Sequence, residues 1–161
     1  MSRHVYACPI RWSDMDAFQH VNNVVYLRYL EEARVDFMFT LASREGAKGL
    51  ASGIVVARHE IDYLRPLVHR PEPVTIETWI TRLGNASMSL AYEIKDGDLV
   101  YARASSVLVP YDLTEGRPRR LSEEERAFLR GFMSPEPEPE PEREPEPGAA
   151  AVPATRGGDG A

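Results

Sequence analysis

One cysteine, Cys8, stands in the whole chain of 161 residues. A lone thiol excludes an intramolecular disulfide and a cysteine-built zinc site. Its setting in a β-branched, aromatic run predicts a half-buried strand residue rather than a nucleophile. Apolar runs are short, and none approaches the ~20 residues needed to cross a bilayer. The opening "MSRHVYACPIRW" lacks the continuous apolar segment of a signal peptide, so a cytoplasmic protein without membrane contact is expected. Glycine-rich phosphate loops of the Gly-x-Gly-x-x-Gly or Gly-Lys-Ser/Thr kind are missing, as is a Gly-x-Ser-x-Gly nucleophile elbow. Basic excess is missing too: the formal net charge is −6, which leaves no positive field for nucleic acid.

The charge and the prolines are unevenly spread. Seven of the thirteen prolines lie from Ser134 onward, in "SPEPEPEPEREPEPGAAAVPATRGGDGA". Alternating Pro and Glu removes every second N–H and offers nothing apolar to bury. Residues 1–133 are therefore expected to form one folded domain, and 134–161 an extended, disordered acidic tail. Without that tail the domain is nearly neutral, with seventeen basic against eighteen acidic residues.

Within the domain, "HVYACPIRW" (4–12) has the composition of a first strand. From Asn23 a helical period takes over, with Tyr26, Leu30, Ala33, Phe37 and Leu41 recurring at three or four residues. Val25, Leu27, Tyr29 and Met38 widen that stripe, and a helix apolar over so much of its surface needs cover on several sides. Asn22 or Asn23 is placed to cap its start, and "REGAKG" (44–49) to end it. Strand patterns follow at 53–64, 72–83, 86–95 and 99–112, with Asp96-Gly97-Asp98 as a hairpin turn. "SEEERAFLRGF" (122–132) predicts a short helix capped by Ser122. The economical packing is α+β: an antiparallel sheet curled around one long helix. Its free edges and open face predict self-association.

A polar knot, "SDMDAFQHVNN" (13–23), precedes the apolar helix. Taken singly, Asp14, Asp16, Asn22 and Asn23 are ordinary turn and cap residues, and His20 is an ordinary hydrogen-bonded histidine. Together they set carboxylates before a helix start, which carries free N–H groups and the positive end of the dipole. That pairing suits acyl transfer: the N–H groups polarise a carbonyl while the carboxylate attacks or activates water. A phosphatase nucleophile would instead end an apolar parallel strand. A metal held by Asp14, Asp16 and His20 would need further ligands, so none is expected.

"WSDMDAFQHVNNVVYLRYLEEAR", with the later "EIDYLRPLVHRPEPVTIETWITRLGNASMSLAYEI", resembles the hotdog-fold acyl-CoA thioesterases of the 4-hydroxybenzoyl-CoA thioesterase type over about residues 3–112. The resemblance implies a hotdog fold: a curved antiparallel five-stranded sheet wrapped around one long central helix, with a short C-terminal helix beyond. It implies hydrolysis of an acyl-CoA, or of an acyl carrier protein thioester, with no metal or other cofactor. Asp16 would be the catalytic carboxylate, as base or nucleophile, and the Asn23 backbone N–H the carbonyl-polarising donor. His20 and Asn22 would shape the loop. A partner chain would complete the pocket in a homodimer or dimer of dimers. Gln19 stands where the family often has Gly. Arg58, His59 and Arg65 are candidates for coenzyme A phosphates, and Tyr26 and Trp79 for an acyl pocket, against ordinary packing in each case. The competing function is a non-catalytic acyl-CoA-binding hotdog protein; a hotdog hydratase wants a different local pattern.

Overall fold

The computed structural model describes residues 2–134; the expectation for the Pro/Glu tail lies outside the described residues. Five strands form one antiparallel sheet: β1 (His4–Cys8), β2 (Ile54–Tyr63), β3 (Val74–Leu83), β4 (Met88–Asp96) and β5 (Leu99–Asp112), in the order β1-β3-β4-β5-β2. A short β6 (Arg117–Pro118) pairs with the end of β5. Alternation on β3 turns Val74, Ile76, Thr78 and Ile80 inward, all fully buried. The β4–β5 hairpin closes through Gly97, whose φ of +57° is the conformation a two-residue turn demands.

The central helix lies on the inner face. Helix α1 (Asn23–Val35) starts at Asn22, whose side chain accepts the Val24 N–H at 2.9 Å. Its buried face carries Tyr26, Tyr29, Leu30, Ala33 and Arg34. A wider π-helical turn (Asp36–Leu41) buries Phe37 and Met38 before a last α-turn, α2 (Ala42–Arg44). The chain leaves that helix at Gly46, φ +93°, and the Ala47 N–H closes back on the Ala42 carbonyl at 2.8 Å. The π turn departs from the single regular helix expected of the sequence, since an i→i+5 insertion leaves the apolar stripe intact.

Helix α3 (Glu123–Arg130) covers the far end. Its capping box pairs Ser122 with Glu125, and its Phe128 and the following Phe132 pack on Phe37 with ring centroids at 5.5 and 4.8 Å. Beyond α3 the chain bonds to β3, with Ile80 N–H on Phe132 O and Ser134 N–H on Ile80 O, both at 2.9 Å. The β1 side of the sheet is thus covered. The β2 side ends in a ten-residue strand that is mostly exposed, and no strand among the described residues pairs with its outer edge. No described helix is long and apolar enough to cross a membrane.

Candidate active site

The polar knot folds into a small hairpin ahead of α1. Met15 bridges Val21, the Asp16 N–H meets the His20 carbonyl at 3.0 Å, and the Gln19 N–H meets the Asp16 carbonyl at 3.0 Å. Closing so tight a turn forces Gln19 to φ +63°, the one positive φ among described residues other than glycine. The position does require the left-handed conformation, and Gln bears its cost.

The two aspartates part company. Asp14 is 8% exposed, and its Oδ2 accepts the Arg11 N–H at 2.8 Å and the Tyr29 hydroxyl at 2.6 Å. Its carbonyl also accepts the Asn22 N–H at 2.9 Å. Burial, then the bond to Asp14, pushes the Tyr29 hydroxyl well above the ordinary tyrosine range. Asp14 therefore anchors the loop to the helix. Asp16 is only half-buried; its Oδ1 accepts the Phe18 N–H at 2.9 Å and its Oδ2 the Asn22 Nδ2 at 3.0 Å.

Asn22 holds the two halves of the arrangement together. Its amide nitrogen donates to Asp16 while its amide oxygen caps α1 at Val24. Its carbonyl takes the Val25 N–H at 2.9 Å. Of the first three helical N–H groups, those of Val24 and Val25 are thereby occupied. The Asn23 N–H has no hydrogen-bond partner among the described residues. A carboxylate and an unused dipole-end donor are set side by side on one rigid corner.

The remaining candidates scatter. His20 lies on the hairpin, half-buried, with no side-chain hydrogen bond among the described residues. Tyr26 is 3% exposed and structural: its hydroxyl accepts the Leu67 N–H at 3.1 Å, and burial raises it to about 12. Trp79 is buried with the Arg3 guanidinium 3.8 Å above its ring, so it packs rather than lining a pocket. Arg58 is exposed and paired with Glu60. His59 is bonded through Nδ1 to Ser106 Oγ at 2.6 Å, and Arg65 to the Val100 carbonyl at 2.6 Å. These last three do not gather into an anion site. Cys8 is 2% exposed, and burial lifts its thiol to about 12, which keeps it unreactive. Among the described residues no three of His, Cys, Asp and Glu converge as a metal site.

Two residues went unnoticed in the sequence. Tyr63, at the end of β2, donates its hydroxyl to the Asn23 carbonyl at 2.9 Å. Arg34 lies buried on the inner face of α1. The signal for Arg34 was present: it falls four residues after Leu30 and four before Met38, a charge on the apolar stripe.

Comparison with known proteins decides the family. The profile of the Thioesterase-like superfamily matches residues 10–129. The chain belongs to the thioesterase-like superfamily. Its fold is the hotdog fold of that group, and its enzyme class is thioester hydrolase. The long-chain acyl-CoA thioesterase FadM of Escherichia coli is 31% identical over 119 residues, covering 73% of this chain and 89% of that protein. A thioesterase from Thermus thermophilus, solved with coenzyme A and Zn, superposes with a TM-score of 0.67 at 30% identity, covering 80% of this chain and 92% of that one. A protein described as a predicted thioesterase from Bacillus stearothermophilus superposes with a TM-score of 0.74 at 26% identity, covering 83% and 98%.

Proposed function

We propose that this superfamily member hydrolyses an acyl-CoA to a carboxylic acid and free coenzyme A, in the manner of the 4-hydroxybenzoyl-CoA thioesterase type. The observation that carries the reading is the Asn22 bridge, which fixes the Asp16 carboxylate beside the unengaged Asn23 N–H. In the proposed reaction the thioester oxygen accepts that N–H, so charge developing on it meets the positive end of the helix. Asp16 attacks the carbonyl carbon or takes a proton from the attacking water, and the thiolate of coenzyme A leaves. His20 and Asn22 keep the loop in shape. The steps use one carboxylate and one backbone donor and route nothing through a metal. The acyl-CoA activity of the Escherichia coli relative and the coenzyme A held by the Thermus structure support the substrate class. A second copy of the chain would close the site, in a cytoplasmic homodimer or dimer of dimers.

The test is thiol release from a panel of acyl-CoAs. Wild type should turn over at least one member, before and after dialysis against a chelator. Asp16→Asn should remain folded and lose ~100-fold or more. A folded Asp16→Asn protein as fast as wild type would sink the carboxylate mechanism. Tight acyl-CoA binding without turnover would favour the non-catalytic reading.

A further inference from the structure

Arg34 is a cation nine-tenths buried, 9% exposed, in the face of the helix that meets the sheet. A guanidinium carries five N–H donors, and buried charges are ordinarily paired. Here one donor is used, and at length: Nη1 to the Tyr92 hydroxyl at 3.4 Å. Arg34 has no ion pair among the described residues. It lines a cavity of about 270 Å³ between α1 and β2, together with Glu31, Met38, Phe39, Ile54 and Val56. Most of that wall is apolar, which suits methylene groups, with one charged floor.

The cavity lies on a line from the candidate active site. Strand β2 runs antiparallel to α1. Its last residue, Tyr63, is bonded to Asn23 at the helix start, and its first, Ile54, reaches the cavity at the far end. A bulge between Val56 and Arg58 shifts the alternation. Val56 and Ile54 consequently line the cavity, as His59 meets the inner Ser106, while Arg58 pairs outward with Glu60. Eleven residues of helix separate Asn23 from Arg34, about 16 Å of axial rise. Midway stands His59. Burial, then the charge of Arg34, lowers its affinity for a proton against the opposing pull of Glu31, so it adds no second cation.

We propose that the acyl chain lies along this α1–β2 groove and that Arg34 receives an oxygen acceptor carried on its distal part. The preferred substrates are medium-chain acyl groups with a terminal hydroxyl or carboxylate. The inference rests on the thioesterase reading for the position of the thioester end. The uncompensated guanidinium supplies the donor, and the exposed Glu31 at the same cavity accepts a proton from a hydroxyl but opposes a carboxylate, so the two oxygen classes are ranked by experiment.

The experiment compares kcat/KM for dodecanoyl-CoA, its ω-hydroxy analogue and its ω-carboxy analogue. Calorimetry of non-hydrolysable S-alkyl coenzyme A thioethers, with and without a terminal carboxylate or hydroxyl, accompanies it. Wild type should favour at least one oxygenated chain by about tenfold or more, because an unpaired buried donor penalises the chain that lacks the acceptor. Arg34→Met should bring the ratio to about one. If Arg34→Met fails to fold, the wild-type ratio and the calorimetry still decide. Hydrolysis of dodecanoyl-CoA at least as fast as both oxygenated chains overturns the inference and leaves the thioesterase reading standing. Discrimination among thioethers without any hydrolysis does the reverse. A change of oligomer mass in Arg34→Met with no discrimination in wild type also overturns it, since the guanidinium would then be meeting a carboxylate of a second copy.

Discussion

Two asparagines in succession do different work at the start of α1. Asn22 acts through its side chain, whereas Asn23 is invoked only through its backbone N–H. That distinction is testable by a substitution that removes an N–H and little else. Asn23 is the first helical residue, a position where proline is tolerated. Asn22 before it has φ −61° and ψ 140°, the extended conformation that a following proline requires. Asn23→Pro should therefore keep its melting temperature within a few degrees and lose roughly 10²–10³ in kcat, the usual worth of one oxyanion donor. Unchanged kcat would remove Asn23 from the mechanism. Gln19 offers a stability test on the same hairpin. Gln19→Gly should stabilise the protein by roughly 0.5–1 kcal/mol in denaturant unfolding, through relief of the left-handed backbone. A lower midpoint would mean that the Gln side chain contributes more than its backbone costs.

At the scale of elements, the far end of the central helix is held by one buried carboxylate. Glu125 is 1% exposed and accepts Arg119 Nη2 and Nη1 at 2.7 and 2.9 Å and the Ser122 N–H at 2.7 Å. Arg119 also donates to the Gly49 carbonyl, and a β-carbon on Gly49 would collide with that carboxylate. Burial alone would raise the Glu125 carboxyl, but Arg119 and Ser122 outweigh it and hold it below the ordinary glutamate value. A lowered folded value contributes stability above the unfolded pKa of about 4.3, and that contribution is lost as pH falls through the folded value. Glu125→Gln should thus cost about 2–3 kcal/mol at neutral pH, with the gap from wild type closing below pH ~4. A gap that stays constant to low pH would contradict the ion pair's role.

This level also marks how far the sequence could be read. The helix and four long strands were legible because periods of 3.6 and 2 are written in side-chain polarity. Asp96-Gly97-Asp98 and Ser122 were legible because turns and caps have their own chemistry. The π turn at Asp36–Leu41 was not, since it changes hydrogen bonding and not composition. The separate fates of Asp14 and Asp16 were also hidden: what buries Asp14 is Tyr29, fifteen residues on, and only the folded chain brings that hydroxyl to it. Arg58, His59 and Arg65 looked alike as strand-borne cations. Alternation, a bulge and the neighbouring β5 then sent them to different surroundings.

For the whole molecule, the exposed side is β2. Val55 and Val56 are 40% and 44% exposed on a long unpaired strand, and Trp12, Phe18 and Val24 form an apolar rim beside the hairpin at 74%, 55% and 65%. Such an edge is normally paired or blunted by charge. The proposed homodimer would pair β2 with its copy and cover that rim. Light scattering should give the mass of a dimer or a dimer of dimers, and Val55→Lys should lower that mass and the rate together. A fully active monomer would refute the shared site.

The bond from the Tyr63 hydroxyl to the Asn23 carbonyl ties that outer strand to the first turn of the helix. Whatever grips the strand from outside therefore bears on the stance of the oxyanion donor. In a dimer joined at β2, assembly and substrate affinity would be linked quantities: acyl-CoA would hold two chains together by the same factor by which their union tightens acyl-CoA. Dilution would then act as an inhibitor, and substrate as its antidote.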